Sequence, residues 1–171
     1  MNYKNITIRS TRLCLKPFSI HDADEIYPCI TPTLTRYMAW EPAKSRQEYD
    51  QNWHNRLVNM ENGQEIIFVI RHMGTHEFLG LVGLHQCHTT TPELGIWIRE
   101  DRHHAGFGRE AVRLVAEWAS THYALAYFIY PVATENYASR RIAESLGGVA
   151  VGYEQKPKYE SVMYHIPVRV V

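Results

Sequence analysis

Polar and apolar residues alternate over Arg12-Leu13-Cys14-Leu15-Lys16-Pro17, the period of a half-buried strand, and Pro17 marks its end. A helix is expected next. Ser19 or His21 precedes Asp22-Ala23-Asp24-Glu25-Ile26-Tyr27, where early acidic residues suit the positive end of the helix dipole. Ser45-Arg46-Gln47-Glu48 has the form of a capping box, and Tyr49, Trp53, Leu57 and Met60 follow at spacings of three and four. That pattern predicts a second helix ending near Asn62-Gly63. The period then changes: Ile66-Ile67-Phe68-Val69-Ile70 and Phe78-Leu79-Gly80-Leu81-Val82-Gly83-Leu84 read as strands joined through a Met73-Gly74-Thr75 turn, together a hairpin. Glycines at 80 and 83 weaken such a strand unless something approaches closely or the strand bends.

After the Thr89-Thr90-Thr91-Pro92 loop, Glu93-Leu94-Gly95-Ile96-Trp97-Ile98 reads as a further strand. A polar, glycine-bearing loop, Arg102-His103-His104-Ala105-Gly106-Phe107-Gly108-Arg109, runs into a helix expected over 110–119, whose Ala111, Leu114, Val115 and Trp118 share one apolar face. Residues 124–132 are expected as a strand, 138–146 as a helix ended by Gly147-Gly148, and 149–170 as two strands around Lys156-Pro157-Lys158. The predicted order is β-α-α-β-β-β-α-β-α-β-β. With 171 residues and neither an internal repeat nor a linker, residues 1–171 are expected to form one domain.

Charge and cysteine usage narrow the function. Eighteen Lys and Arg balance eighteen Asp and Glu, so nothing here provides the basic surface that direct nucleic-acid binding requires. Three cysteines, Cys14, Cys29 and Cys87, form no C-x-x-C pair and leave an odd thiol in any disulfide scheme, which points to a reducing compartment. No apolar run approaches the ~18 residues that span a bilayer, and the first residues lack the order of a signal peptide. The expected location is the cytoplasm, with no membrane association.

A strand, a glycine-bearing loop and a helix start form an anion-binding arrangement, because unpaired backbone N–H groups point outward and the helix dipole favours negative charge. Glycine at 106 and 108 lets the backbone come within hydrogen-bonding distance of a phosphate; a tight turn is the alternative for this string in isolation. No Gly-Lys-Ser or Gly-Lys-Thr occurs, and the spacing of a dinucleotide fingerprint is absent, so the ligand is neither a nucleoside triphosphate nor a dinucleotide of those types.

His103-His104-Ala105-Gly106-Phe107-Gly108 resembles the Q/R-x-x-G-x-G/A pyrophosphate loop of the GNAT N-acetyltransferases, which bind acetyl-coenzyme A. Three further strings resemble the subgroup that acetylates the N-termini of ribosomal proteins, the RimJ/RimL type. Glu93-Leu94-Gly95-Ile96-Trp97-Ile98 is similar to its E-L-G-Y-W-I strand. Asn136-Tyr137-Ala138-Ser139-Arg140-Arg141-Ile142-Ala143-Glu144-Ser145-Leu146-Gly147 is similar to its N-x-x-S-x-R/K-x-x-E-K-L-G helix, and Arg9-Ser10-Thr11-Arg12-Leu13-Cys14-Leu15-Lys16-Pro17 to its opening strand. Three positions depart from the pattern: His103 stands for Gln or Arg, Gly148 for the Phe that follows L-G, and Ala143 where many members outside the subgroup carry a proton-donating Tyr.

The resemblance implies an α/β (α+β) GNAT fold, a mixed, mostly antiparallel central sheet flanked by helices, with a splayed strand pair holding the cosubstrate. The implied activity moves an acetyl group from acetyl-coenzyme A to a primary amine, first a protein N-terminal α-amine. A small-molecule amine (antibiotic, polyamine or aminoacyl nucleotide) and a non-catalytic coenzyme A sensor are the alternatives. Backbone groups around Ile96, Trp97 and Ile98 are expected to hold the thioester, and the loop His103, His104, Ala105, Gly106, Phe107, Gly108 and Arg109 the pyrophosphate. Asn136 is expected on the pantetheine arm and Ser139 as the acid for the departing thiolate, with a solvent-facing helix serine as the alternative. Glu93 is the candidate base, acting through water, or else a surface strand carboxylate. His85 and His88 are read as rim residues, with base or substrate contact as the alternative.

The ten histidines match no zinc-ligand spacing, so no metal site is expected. Trp40 and Trp53 lie in the region over the acceptor cleft and are read as core residues, with stacking on an acceptor as the alternative. The chain is expected to be a monomer or a homodimer, in the latter case pairing through a strand over 162–170.

Overall fold

The computed structural model describes residues 3–168. Strands β1 (Ile8–Arg9) and β2 (Leu13–Pro17) precede two short helices, α1 (Ala23–Ile26) and α2 (Pro32–Thr35), and the long helix α3 (Arg46–Glu61). The chain continues as β3 (Glu65–His72), β4 (Phe78–His85), β5 (Glu93–Ile98), α4 (Phe107–His122), β6 (Tyr127–Ala133), α5 (Tyr137–Ser145), β7 (Val149–Gln155) and β8 (Glu160–Pro167). The strands form one sheet in the order β1-β2-β3-β4-β5-β6-β8-β7, antiparallel everywhere except between β5 and β6. This is the mixed, mostly antiparallel sheet with flanking helices that the sequence leads one to expect.

Two elements, β1 and α2, are too short for a period to reveal them. Helix α4 begins at Phe107, so Phe107, Gly108 and Arg109 form its first turn instead of belonging to the loop. The start moves because Gly106, at φ 78°, takes the N-cap position itself.

Side-chain alternation sends the two faces of the sheet to different helices. Phe68 of β3 meets Trp118 of α4 edge-on at 5.8 Å between ring centroids. Its neighbours Glu65 and Ile67 point to the other face, toward α3. Helix α4 buries Ala111, Val112, Leu114, Val115, Ala116 and Ala119, whereas Trp118 is only half-buried and stacks on His122. Helix α3 buries Tyr49, Trp53 and Met60, and the Trp53 ring stacks on Phe18 at 3.7 Å. Trp53 is therefore a core residue, as expected. Trp40 is not: it stands partly exposed in the irregular segment between α2 and α3.

The expected dimer edge also needs correction. Strand β8 lies between β6 and β7 and is paired on both sides, so it offers no free edge; positions 169 and 170 of the expected strand lie outside the described residues. The edge is β7, with Val149, Val151 and Tyr153 exposed.

Close backbone approach explains two glycines. At the end of α5, Gly147 adopts φ 82°, and Gly148 N–H donates to the Ala143 carbonyl at 2.8 Å, closing a Schellman turn. A Cβ on Gly148 would lie 2.7 Å from that same oxygen, so the aromatic residue of the family pattern has no room here. Gly80 pairs with Ile98 across β4 and β5, where a Cβ would lie 2.8 Å from the Ile98 Cα and press on the Trp97 carbonyl. Gly80→Ala is expected to cost about 1–3 kcal/mol. Gly152→Ala, with nothing within 4 Å of its Cβ position, should stay within about 0.5 kcal/mol. Urea unfolding of the two variants checks the contrast.

Candidate active site

Strands β5 and β6 run parallel yet share a single register pair, Glu93 with Ile129. Ile129 N–H donates to the Pro92 carbonyl at 3.0 Å and Ala126 N–H to the Thr90 carbonyl at 2.7 Å, so the two are tied only where they begin. From Leu94 onward, alternate backbone N–H and C=O groups of β5 face a gap instead of a ladder. The gap belongs to a cleft of about 830 Å³, with Gly95, Trp97, Tyr130 and Val132 along it and α3 and the turn carrying Lys156 and Tyr159 around it. Tyr37 and Trp40 line the same cleft, which gives Trp40 the place that its core reading denied it.

The loop at the far end of β5 is fixed from two sides. Arg12 donates through Nη1 to the Ala105 carbonyl at 3.0 Å and through Nε and Nη2 to Glu110 Oε2, while Ser10 Oγ donates to Glu110 Oε1 at 2.6 Å. On the other side, Arg99 pairs with Asp101 and Arg102 with Glu77. Burial raises the Glu110 carboxyl, but hydrogen bonds from Ser10 and Arg12 outweigh it and hold the group below its usual range. With the Ala105 carbonyl turned toward Arg12, the first-turn N–H groups of α4 look outward. Helices α2, α3 and α5 start with a side-chain cap from Thr31, Ser45 and Asn136, whereas Gly106 supplies none to α4. His103, His104, Ala105 and Gly106 are exposed, and Phe107 and Gly108 half-buried. His103 directs its Nε2 back to the Ile98 carbonyl at 2.8 Å, which secures the loop to the strand instead of offering the ring to a ligand. Gly108 sits against Ile96, Ile98 and Ile142. Arg109 is exposed on the helix.

Ser139 and Asn136 meet at the start of α5. Asn136 Oδ1 accepts from Ser139 N–H at 3.2 Å as the helix cap, and both side chains line the cleft. Ser139 Oγ lies 2.7 Å from the hydroxyl of the fully buried Tyr130. Burial pushes the Tyr130 phenol up, more than its bond with Ser139 lowers it, so the phenol stays protonated and has a hydrogen to donate to Ser139 Oγ. The Ser139 hydrogen is then free to point into the cleft.

Glu93 does not stand alone. The registers place Glu65, His85 and Glu93 opposite one another on β3, β4 and β5, a polar row across the sheet face that α3 covers. Burial raises the Glu93 carboxyl, and His85 and Lys156 only partly offset this. Burial would raise Glu65 too, but its bond with His85 and the charge of Arg56 hold it below its usual range. His85 is thus part of a half-buried row that lines the cleft, whereas His88 is exposed on the following turn and does not line it. Among the described residues, no group of three or more His, Cys, Asp or Glu side chains gathers to hold a metal ion.

Sequence reasoning missed Arg12, Glu110, Tyr130 and Glu65. Arg12 and Glu110 lie 98 positions apart, and no periodicity links them; Tyr130 reads as an ordinary strand residue, and Glu65 falls just before the strand read from Ile66. The one available signal was a carboxylate at 65 opening a strand otherwise apolar through Ile70.

A carboxyl harder to ionise in the folded than in the unfolded protein lowers stability as pH rises through its folded value, and costs nothing below its unfolded value. Glu93→Gln should raise the urea midpoint at neutral pH, with the gain vanishing in acid. An equal gain at both pH values would show that the carboxyl is not the cause.

Residues 12–149 match the acetyltransferase (GNAT) domain family. Solved structures share the fold across nearly the whole chain. A RimL ribosomal L7/L12 α-N-protein acetyltransferase in complex with coenzyme A superposes with a TM-score of 0.85 at 15% identity, covering 95% of this chain and 98% of that one. The Salmonella typhimurium acetyltransferase described as modifying the N-terminal serine of protein L7/L12 gives 0.81 at 15% identity, with 97% and 99% covered. Spermidine N-acetyltransferase from Vibrio cholerae, with coenzyme A and spermine, gives 0.80 at 20% identity, with 93% and 97% covered. No curated protein matches the sequence. With the family match spanning most of the chain and the splayed β5–β6 pair at its centre, the chain belongs to the GNAT acetyltransferases.

Proposed function

We propose that the chain is a single catalytic domain that acetylates a protein N-terminal α-amine from acetyl-coenzyme A, by direct attack of the amine while both substrates are bound. The observation that carries this reading is the β5–β6 gap, which ends beside an uncapped helix start. A pantetheine arm bears amides that can complete the unpaired edge of β5, and a pyrophosphate suits first-turn N–H groups at a positive helix end. The residues present therefore fit the cosubstrate. Gly106, Phe107, Gly108 and Arg109 would hold the phosphates through backbone groups, Asn136 and the backbone of Ile96, Trp97 and Ile98 the arm. When bound, acetyl-coenzyme A supplies a thioester whose carbonyl carbon accepts the amine.

Ser139 delivers a proton at its Oγ, with Tyr130 behind it supplying the hydrogen bond that keeps that proton aimed at the cleft. A sensor that only bound coenzyme A would have no use for this pair. The peptide acceptor is supported by the four ordered sequence matches and by the Asn52, Asn55 and Asn59 amides on α3, which face the cleft and can bond an extended backbone. A reducing compartment suits three unpaired thiols, and we place the enzyme in the cytoplasm.

Calorimetric titration with acetyl-coenzyme A, followed by a thiol-release screen against N-terminal peptides, spermidine and other small amines, tests the reading. Binding with release on peptides is the expected result. Release only on small amines would change the acceptor class, and no binding would overturn the reading. Ser139→Ala should lower kcat about 10²-fold or more while leaving acetyl-coenzyme A affinity within about twofold.

A further inference from the structure

We propose that His85 is the general base that takes the proton from the acceptor amine, with Glu65 as the residue that positions it. This rests on the acetyltransferase reading above and extends it to residues that the four sequence motifs do not include.

The geometry begins with Glu65, which is 7% exposed. Its Oε1 accepts from Asn59 Nδ2 at 3.2 Å, and its Oε2 from Arg56 Nη1 at 3.1 Å and from His85 Nδ1 at 2.7 Å. An ionised carboxylate only accepts hydrogen bonds, so Nδ1 carries a hydrogen, and in the neutral imidazole the lone pair is on Nε2. That lone pair has an open place to point. On β4 and β5 the next paired residues on this face are Gly83 and Gly95, and the His85 ring extends over both. A Cβ on Gly83 would lie 2.5 Å from Nε2, and one on Gly95 3.5 Å from it. Two missing side chains therefore make the space that the imidazole occupies, and both glycines line the same cleft as Ser139.

The groups facing the ring come from several elements. The buried Glu65 on β3 and the partly exposed Arg56 on α3 pair behind it, and Glu93 on β5 stands beside it. Lys156 and Tyr159 approach Glu93 from the β7–β8 turn, and the Cys87 thiol, pushed up to about 11 by burial and by the Glu65 charge, remains neutral. Glu93, harder to ionise than usual, orients the incoming amine or a water, while the imidazole accepts the proton.

In the step itself the amine lone pair forms the N–C bond to the acetyl carbon. The C–S bond breaks with its electron pair on sulfur. One proton passes from the amine nitrogen to His85 Nε2 and from there to solvent; one passes from Ser139 Oγ to sulfur and is restored from solvent through the cleft. The Nδ1 hydrogen stays with His85, because the bonds from His85 and Asn59 and the charge of Arg56 keep Glu65 ionised.

Two measurements test the proposal. Long-range ¹H–¹⁵N spectra of the coenzyme A-saturated protein read the imidazole tautomer without any acceptor. His85 should show Nδ1–H with a bare Nε2, and Glu65→Leu should move it to Nε2–H. On whichever peptide or amine the wild type acetylates, His85→Gln should lower kcat about 10²-fold or more. Acetyl-coenzyme A affinity should stay within about twofold. Gly83→Ala, which displaces the ring without changing a charge, should reproduce the loss in kcat. A wild-type ring found as Nε2–H, or a His85→Gln rate within about threefold of wild type, would overturn the proposal while leaving the acetyltransferase reading intact. Absence of acetyl-coenzyme A binding by the wild type would overturn both.

Discussion

Strands β5 and β6 are joined at Glu93 and Ile129 and then part, and the rest of the site follows from that separation. Leaving the edge of a central strand without its ladder is costly, since an unpaired buried backbone group loses about 1–3 kcal/mol. The fold limits this cost by opening the gap to a cleft, where water or a ligand's amides can complete the edge. The tie at the start of the two strands and the packing of α4 against β5 hold the gap in place. Gly80 contributes by letting β4 lie close against the end of β5, so that the edge facing the gap is held firmly from behind.

The loop that ends the gap is preorganised by charge. Arg12 and Glu110 turn the Ala105 carbonyl away from the outward N–H groups, and Arg99, Arg102, Glu77 and Asp101 hold the root of the loop. A loop already ordered by these pairs loses little further freedom when an anion binds, which is where such contacts contribute most. The exposed pairs add little to stability themselves. Buried polar groups were accepted elsewhere for the same end: a tyrosine hydroxyl aimed at a serine, and a carboxylate at 65 inside a sheet, both paired and both facing the cleft.

Much of this was legible in the sequence because it is local. Strand and helix periods, the Ser45 cap, the Gly147 turn and the glycine loop depend on residues within one or two turns of each other, and each stands where the pattern puts it except that α4 takes the last three loop residues as its first turn. The candidate roles of Asn136, Ser139 and Glu93 came from the family resemblance. What the sequence hid is cross-strand. Glu65, His85 and Glu93 are 20 and 8 positions apart, and only the registers of β3, β4 and β5 put them in one row. The departures from the family pattern became intelligible through packing: Gly148 has no room for a side chain, and His103 is occupied in holding Ile98. Trp40 was misread because an aromatic residue in an irregular segment carries no period to say which way it faces.

The central claim is that the β5 edge and the first turn of α4 form one continuous binding surface for acetyl-coenzyme A. Backbone hydrogen exchange with and without saturating acetyl-coenzyme A tests it residue by residue. Slowed exchange in alternate amides over 94–98 and throughout 104–109, with β7 unchanged, is the predicted result. Protection confined to other elements, or none along β5, would contradict the account.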